Sequence, residues 1–234
     1  MVDVSIIIPF RNEKGYAAVA VESVYNYLKK TKIDFEIIAI DDSTDETWDI
    51  LKKLEKKLNR FRAVQGWKPP GYGKALRKGF QEARGKIVIP YSGDMCESLD
   101  DVMKYIEIVN QGYDMALGSR FIKGGKIINY PKEKLFINRL GNFFLQILFL
   151  SKYNDFTNGF KGYSKRAFEI IKPKANSYEL GLEMALKGMR KGLKYKIIPI
   201  SWIGRTSGVS KMNVKKTMIR QFKMAMKIFF GIDN

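Results

Sequence analysis

Three short clusters of polar side chains are candidates for chemistry. They occupy residues 9–13 (Pro-Phe-Arg-Asn-Glu), 41–45 (Asp-Asp-Ser-Thr-Asp) and 92–94 (Ser-Gly-Asp). Carboxylates of this kind can accept hydrogen bonds from a nucleoside and can hold a hard divalent cation against a pyrophosphate. Each cluster also has a simpler interpretation, since Asp45 could cap a helix and Asp94 could belong to an ordinary turn.

The composition excludes several other kinds of active site. The 234 residues include no histidine and one cysteine, Cys96. This excludes a Ser-His-Asp triad, a histidine general base and a disulfide framework. The sequence shows no signal peptide and no apolar run of membrane-spanning length, so we expect a cytoplasmic protein.

The polar clusters follow predicted strands of an α/β fold. Short apolar runs predict strands at residues 4–9, 35–40, 61–65, 86–90 and 114–117. Helical spacing of apolar residues predicts helices at 16–30, 45–58, 72–84 and 99–110. Alternating strands and helices favour a parallel sheet, in which binding sites lie at the carboxyl ends of the strands. We therefore expect the polar clusters to meet at one edge.

The second half of the chain is less regular. The pattern predicts helices at 132–150, 165–171, 178–191 and 213–230, one strand at 194–203, and loops at 124–131 and 204–208. Positive charge is concentrated here, because residues 1–119 hold 18 basic and 18 acidic side chains and residues 120–234 hold 24 and 6. A one-sided excess indicates a polyanionic partner, such as nucleic acid, anionic lipid or a phosphorylated substrate.

Two common phosphate-binding motifs are excluded. The run from Gly71 to Lys74 resembles part of a phosphate loop, but Lys68 stands where that loop needs glycine and Ala75 where it needs Ser or Thr. The segment after the first predicted strand lacks the G-x-G-x-x-G pattern of dinucleotide-binding folds.

The spaced motifs resemble those of family 2 glycosyltransferases, in particular dolichyl-phosphate mannose synthases and related polyprenyl-phosphate glycosyltransferases. The matching motifs are the opening P-x-x-N-E (9–13), the Asp-Asp turn (41–45), a glycine-rich helix (71–85), G-[ST]-R-[YF] (118–121), R-x-x-N (139–142), D-x-T-x-x-F-[RK] (155–161), a helical glutamate (Glu183) and R-x-x-G-x-S-K (205–211). The chain departs from the family at Ser92, where the metal motif usually has Asp, and at Lys134 and Asn138, where the family has Arg and Ser.

The resemblance implies the GT-A fold, an α/β architecture with a mostly parallel central sheet flanked by helices. It also implies a GT-A domain over residues 1–212, with a nucleotide-sugar-binding half (1–119) and an acceptor-binding half (120–212). The residue pattern predicts a basic amphipathic helix after it, at 213–234. The implied reaction is inverting transfer of a hexose to a polyprenyl phosphate. A phosphate oxygen is already ionised at pH 7, so this reaction needs no general base, in agreement with the absence of histidine.

The resemblance also assigns residue roles. The cofactor would be Mg²⁺ or Mn²⁺, with Asp94 as its ligand and Glu97 as a potential substitute for the missing carboxylate. The residues implied as catalytic are Asp94, Arg120, Arg205 and Lys211. Those implied for the donor are Pro9, Arg11, Glu13, Asp41, Asp42, Gly73, Lys74, Ser92 and Asp94. Those implied for the acceptor phosphate are Arg120, Lys134, Asn138 and Arg139. The three basic side chains among them could instead form a solvated face.

Two segments could lie on a membrane surface. Residues 135–150 end in a run of aromatic and aliphatic side chains. In residues 213–230, one helical face is basic (Lys216, Arg220, Lys223 and Lys227) and the opposite face is apolar. Both helices could instead bury their apolar faces in the domain. The positive charge favours contact with an anionic membrane surface, and a membrane protein could supply a further anchor.

These observations predict a hexosyltransferase on the cytoplasmic face of a membrane, with GDP-mannose as the favoured donor and UDP-glucose next. One alternative is a family 2 transferase with a soluble or lipid-glycan acceptor. Another is a non-catalytic nucleotide-sugar-binding subunit, which Ser92 suggests. A nucleic-acid-binding protein would explain the charge but not the acidic clusters, so we expect no nucleic-acid partner.

Overall fold

The computed structural model describes residues 2–204 and 213–232. Its strands are Val4–Phe10 (β1), Phe35–Asp41 (β2), Phe61–Gln65 (β3), Ile87–Pro90 (β4), Met115–Ser119 (β5), Lys126–Ile128 (β6), Lys161–Ser164 (β7), Tyr195–Pro199 (β8) and Ser201–Ile203 (β9). Its helices are Ala17–Lys29 (α1), Thr47–Glu55 (α2), Tyr72–Glu82 (α3), Leu99–Asn110 (α4), Lys132–Leu148 (α5), Lys165–Ile171 (α6), Leu180–Arg190 (α7) and Val214–Phe229 (α8). Every element predicted in the first half forms, with ends shifted by a few residues.

Seven strands form one sheet in the order β3-β2-β1-β4-β7-β5-β8. β1 pairs in parallel with β2 and β4, β2 pairs in parallel with β3, and β5 pairs in parallel with β8. β7 is antiparallel to both of its neighbours, β4 and β5. The predicted α/β fold with a mostly parallel sheet is confirmed.

The second half differs from the sequence-based expectation in three strands. β7 has the sequence Lys-Gly-Tyr-Ser, which contains no apolar run, and it forms between two strands that both pair with its backbone. β6 lies in the predicted loop and pairs with β9 in a separate two-stranded sheet. The single strand predicted at 194–203 is divided at Ile200, whose N–H donates to Ser119 of the large sheet while its carbonyl accepts from Lys126 of the small one.

Helices cover both faces of the large sheet, which explains the apolar strands. In β1, Ile6 and Ile8 belong to the core cluster that includes α1, α2 and α4, whereas Ile7 belongs to the cluster that includes α3 and α7. All three side chains are fully buried. A parallel sheet covered on both faces needs apolar residues at successive positions, so β1 and β2 form continuous apolar runs in the sequence.

The last helix packs against the domain with one narrow face. Ala225 and Ile228 of α8 are buried in the same cluster as α7, and the ring of Phe222 lies 5.8 Å from that of Phe144 in α5. The expected division into residues 1–212 and 213–234, and of the former at residue 119, stays a prediction.

Candidate functional site

The predicted polar clusters meet at one edge of the sheet, as expected. The carboxyl ends of β1, β2, β4 and β5 open beside a cleft of about 1350 Å³. Of the residues expected to contact donor or acceptor, the cleft is lined by Pro9, Arg11, Glu13, Asp42, Lys74, Ser92, Asp94, Arg120, Lys134 and Asn138.

Hydrogen bonds between the first two clusters build one wall of the cleft. Asn12 has a left-handed backbone (φ 55°), and its side-chain oxygen accepts from the N–H of Thr44 at 2.8 Å. The N–H of Asn12 donates to Ser43 Oγ at 2.8 Å. Asp45 accepts from the N–H of Thr47 at 3.0 Å and so holds the start of α2, which is the simpler role considered for it. The turn after β1 is thereby fixed against the turn after β2.

The two adjacent aspartates of the second cluster have different environments. Asp42 lines the cleft, and one of its oxygens accepts from the N–H of Gly71 at 3.3 Å. Its other oxygen, Oδ1, is buried without a hydrogen-bond partner among the described residues. Asp41 lies outside the cleft lining and accepts from Ser43 Oγ at 2.6 Å. Burial raises the pKa of Asp41, although the hydrogen bond from Ser43 opposes the rise.

Two of the residues expected to bind the donor do not line the cleft. Asp41 holds the turn through Ser43, as described above. Gly73 also lies outside the cleft lining, on the buried side of α3. A Cβ at Gly73 would lie 2.7 Å from backbone atoms of residues 175–177, so glycine permits this close contact. The residues that follow them in the chain, Asp42 and Lys74, do line the cleft.

The turn after β4 presents two carboxylates. Asp94 lines the cleft, and its Oδ1 accepts from the N–H of Cys96 at 3.3 Å. Gly93 brings this turn close to the ring of Phe10, 2.8 Å from where a Cβ would stand. Glu97 lines the same cleft, and its Oε2 is buried without a partner among the described residues. Burial raises the pKa of Glu97 to about 8, and the charge of Asp94 adds to this effect.

These two carboxylates fit a hard divalent cation that is shared with a substrate. The described residues contain no group of three or more acidic, cysteine or histidine side chains able to hold a metal on their own. Mg²⁺ is typically bound by one or two carboxylates together with substrate phosphates and water. Glu97, whose unpaired oxygen lies near Asp94, provides a second carboxylate where Ser92 has only a hydroxyl, so the donor set suits such a site.

Arg120 also lines the cleft and forms a buried ion pair with Asp155. Its Nε and Nη2 donate to the two carboxylate oxygens at 2.8 and 2.7 Å. Burial lowers the pKa of Arg120, but the charge of Asp155 and its hydrogen bonds more than offset this, so the guanidinium stays protonated. Arg120 is therefore an oriented group whose charge is largely neutralised by Asp155, and its expected role in binding the acceptor phosphate stays a prediction.

The other expected acceptor residues lie on α5. Lys134 and Asn138 line the cleft, and the amide of Asn138 donates to Thr157 Oγ1 at 2.8 Å. Arg139 lies on an exposed face outside the cleft lining, with its guanidinium 4.4 Å from the centre of the Phe121 ring. The structure therefore groups Lys134 and Asn138 at the cleft and separates Arg139 from them. Arg205 and Lys211 lie outside the described residues.

Several groups that line the cleft are not among the site residues expected from the sequence. The rings of Tyr72 and Tyr178 stack at 4.6 Å between centroids, and Glu179, Tyr130 and Trp202 also face the cleft. The sequence motifs assign no ligand to any of these side chains. Tyr178 and Glu179 immediately precede α7. The sequence feature that points to this segment is Glu183, the family glutamate on the same helix.

The 155–161 motif holds the acceptor side together. Lys161 is fully buried, and its ammonium donates to the carbonyls of Phe156, Asn158 and Gly181. Burial lowers the pKa of Lys161 to about 7, while the charge of Asp155 opposes this. The motif thus fixes the loop that carries Asp155, and its basic residue is buried outside the cleft lining.

Glu183 also has a structural position. It accepts from the N–H of Lys174 at 2.9 Å and of Ala175 at 2.8 Å, and it forms a buried ion pair with Lys187. These contacts fix the segment that lies against α3.

The helices α5 and α8 contribute side chains to the cleft lining and expose an apolar and basic surface. The exposed apolar side chains are Phe136, Ile137, Leu140, Phe143, Phe144 and Ile147 of α5 and Met218, Ile219, Phe222 and Phe229 of α8. In the alternative prediction, α8 buries its apolar face in the domain. This is true of Ala225 and Ile228, but not of the exposed apolar side chains given above. Lys216, Arg220, Lys223 and Lys227 are exposed on the same helix. Among the described helices, none combines the length and the hydrophobicity needed to cross a membrane.

The chain is similar in sequence to known proteins. The chain is 29% identical over 216 residues to a dolichol-phosphate mannosyltransferase of Pyrococcus furiosus, covering 91% of this chain and 60% of the relative. It is 25% identical to a polyprenol monophosphomannose synthase of Mycolicibacterium smegmatis, covering 94% and 84%. The chain thus spans less than two thirds of the length of the first relative.

A solved structure has the same fold. Glucosyl-3-phosphoglycerate synthase from Mycobacterium tuberculosis, in complex with Mn²⁺, UDP and glucosyl-3-phosphoglycerate, superposes with a TM-score of 0.71 at 17% identity, covering 99% of this chain and 81% of that one. This likeness confirms the GT-A fold. The family model for glycosyl transferase family 2 matches residues 5–171, which is most of the chain. The chain therefore belongs to glycosyl transferase family 2.

Proposed function

We propose that this protein transfers a hexose from a nucleotide sugar to a polyprenyl phosphate at a membrane surface. The observation that carries the proposal is that one cleft is lined both by carboxylates and by basic and apolar side chains. Asp42, Asp94 and Glu97 line it, and so do Lys134 and apolar side chains of α5 and α8. Such a cleft has room and charge for a nucleotide at one end and a lipid phosphate at the other.

At the donor end, the unpaired oxygen of Asp42 would accept a hydrogen bond from the nucleoside. Asp94 and Glu97 would hold Mg²⁺ or Mn²⁺, which when bound would neutralise charge on the departing diphosphate. Pro9, Arg11, Glu13, Lys74 and Ser92 complete this wall of the cleft. Arg205 and Lys211 stay predicted as donor-side cations.

At the acceptor end, Lys134 and Asn138 would bind the lipid phosphate, and Arg120 would orient it from its ion pair with Asp155. The attacking phosphate oxygen is ionised at neutral pH, so the protein has only to position two anionic substrates and exclude water. Positioning of this kind is consistent with a chain that lacks histidine.

The exposed surface of α5 and α8 supports contact with an anionic membrane. Basic side chains near such a surface contribute on the order of 1 kcal/mol each, and exposed apolar residues add buried area. We place this contact on the cytoplasmic face. Mannose from GDP-mannose is the favoured transfer, with glucose from UDP-glucose next. Two of the relatives are named dolichol-phosphate mannosyltransferase and polyprenol monophosphomannose synthase, which supports mannose.

The test is a transfer assay with GDP-mannose or UDP-glucose, Mg²⁺ or Mn²⁺, and polyprenyl phosphate in anionic vesicles. We expect a polyprenyl-phosphate hexose product, and none when unphosphorylated polyprenol replaces the acceptor. Product formed only on a soluble phosphorylated acceptor would assign the protein to the alternative acceptor class. Nucleotide-sugar binding without any product would indicate a non-catalytic subunit.

A further inference from the structure

Glu179 is a buried carboxylate in the cleft wall with an unused oxygen. It immediately precedes α7 and is 8% exposed. Its Oε1 accepts from the N–H of Ser177 at 3.2 Å. Its Oε2 is buried and has no hydrogen-bond partner in the part of the chain that the structure describes. Such an oxygen is costly to leave unpaired, so a donor that arrives with a ligand is expected.

The position of Glu179 is fixed by the contacts on either side of it. A Cβ at Gly71 would lie 2.5 Å from the carbonyl oxygen of Asn176, so the segment before Glu179 lies directly on the start of α3. A Cβ at Gly181 would lie 3.1 Å from the carbonyl oxygen of Asn158, so the segment after it lies on the acceptor-side loop. Glu179 is therefore at the junction of the donor and acceptor walls. In the proposed reaction, the transferred sugar would move from the donor wall to the acceptor wall.

The chemistry of the carboxylate selects the part of the substrate that it can contact. Nucleotide diphosphate and acceptor phosphate are both anionic and would be repelled by it. Hexose hydroxyl groups are neutral donors, and an ionised carboxylate accepts from them strongly. The amino-terminal end of α7 favours a negative charge at this position.

We propose that Glu179 is a specificity-determining residue that accepts hydrogen bonds from hydroxyl groups of the transferred sugar. This inference rests on the proposed function of nucleotide-sugar transfer. It assigns to Glu179 the recognition of the sugar alone, separate from the nucleoside and the diphosphate.

The first test compares the affinities of wild-type protein and Glu179→Gln for GDP, UDP, GDP-mannose and UDP-glucose by calorimetry with Mn²⁺ present. We expect Glu179→Gln to bind the free nucleotide as the wild type does and to bind the preferred nucleotide sugar about 10- to 100-fold more weakly, as for loss of a charged hydrogen bond. Glu169→Gln, an exposed change on α6, is the matched control and should bind both as the wild type does.

The second test uses deoxy analogues of the preferred nucleotide sugar. Removing one particular hydroxyl group should weaken the binding of the sugar nucleotide to the wild type. The same removal should weaken its binding to Glu179→Gln much less. A purely structural role at the start of α7 would lower the melting temperature without this coupling to one hydroxyl. Equal losses for both proteins at every position, or unchanged sugar affinity in Glu179→Gln, would overturn the proposal. Failure of the wild type to bind any nucleotide sugar would overturn the proposed function as well.

Discussion

Asp155 fixes Arg120 through three hydrogen bonds, two from the guanidinium and one from the backbone. Nε and the N–H of Arg120 both donate to Oδ2, at 2.8 and 3.0 Å, and Nη2 donates to Oδ1 at 2.7 Å. Both side chains are almost fully buried. Arg120 thus lines the cleft with the Nε–Nη2 edge of its guanidinium occupied by Asp155, and its orientation depends on Asp155.

We expect Asp155→Asn to disturb acceptor use and stability together. Removing one partner of a buried ion pair typically costs about 3–5 kcal/mol, because the remaining charge loses its compensation. The apparent KM for polyprenyl phosphate should rise while nucleotide affinity stays the same. Saturation curves for both substrates and chemical denaturation measure these effects.

The matched control is Glu46→Gln, which breaks an ion pair with Lys14 whose two side chains are mostly exposed. Exposed pairs contribute about 0–1 kcal/mol, so this change should have little effect. If Asp155→Asn instead bound nucleotide more weakly and kept the acceptor KM unchanged, then Arg120 would be assigned to donor binding.

Asp94→Asn should remove the metal dependence of nucleotide binding. In the wild type, Mn²⁺ should strengthen the thermal stabilisation by GDP or UDP, and excess chelator should abolish the gain, because ligand binding stabilises the folded state by mass action. The variant should show the same small shift with and without Mn²⁺. Asp49→Asn, an exposed change on α2, serves as control. A metal-dependent shift that persists in Asp94→Asn would contradict the assignment.

Charge reversal on α8 should release the protein from anionic vesicles. Changing Lys216, Arg220, Lys223 and Lys227 to Glu removes four favourable charges of about 1 kcal/mol each and introduces repulsion. Binding should also weaken with salt, because exposed charges are screened. Vesicle co-sedimentation over a range of salt concentrations measures both effects.

The control for α8 reverses four exposed lysines elsewhere, namely Lys30, Lys53, Lys56 and Lys57. This variant has the same net charge as the α8 variant and should retain binding. If both variants lose binding equally, then net charge rather than the α8 surface is responsible.

Stability should depend on pH through Lys161. Its pKa is lowered from 10.5 to about 7 in the folded protein, so between these values the unfolded chain binds a proton that the folded chain does not. The free energy of unfolding should therefore rise from pH 7 towards pH 10, by at most about 1.4 kcal/mol per pH unit. Lys161→Met should lack this contribution. Denaturation curves at several pH values for both proteins test it, and identical slopes would show that the buried amine keeps its proton.

The sequence by itself determined the strand and helix pattern of the first half and the edge at which the polar clusters meet. Both follow from local properties, because a buried parallel strand needs a continuous apolar run and its carboxyl end needs a polar turn. The motifs around Asp42, Asp94 and Arg120 likewise predicted residues that line the cleft.

Only the tertiary structure decided which of these side chains are available to a ligand. Asp155 is 35 residues from Arg120 in the chain, and the pairing between them left no local pattern in the sequence. The same holds for β7, which forms because its two neighbours pair with it. It also holds for Gly73, where the backbone of residues 175–177 leaves no room for a side chain. Burial and pairing depend on contacts between distant segments, so the unpaired oxygens of Glu97 and Glu179 became visible only in the folded chain.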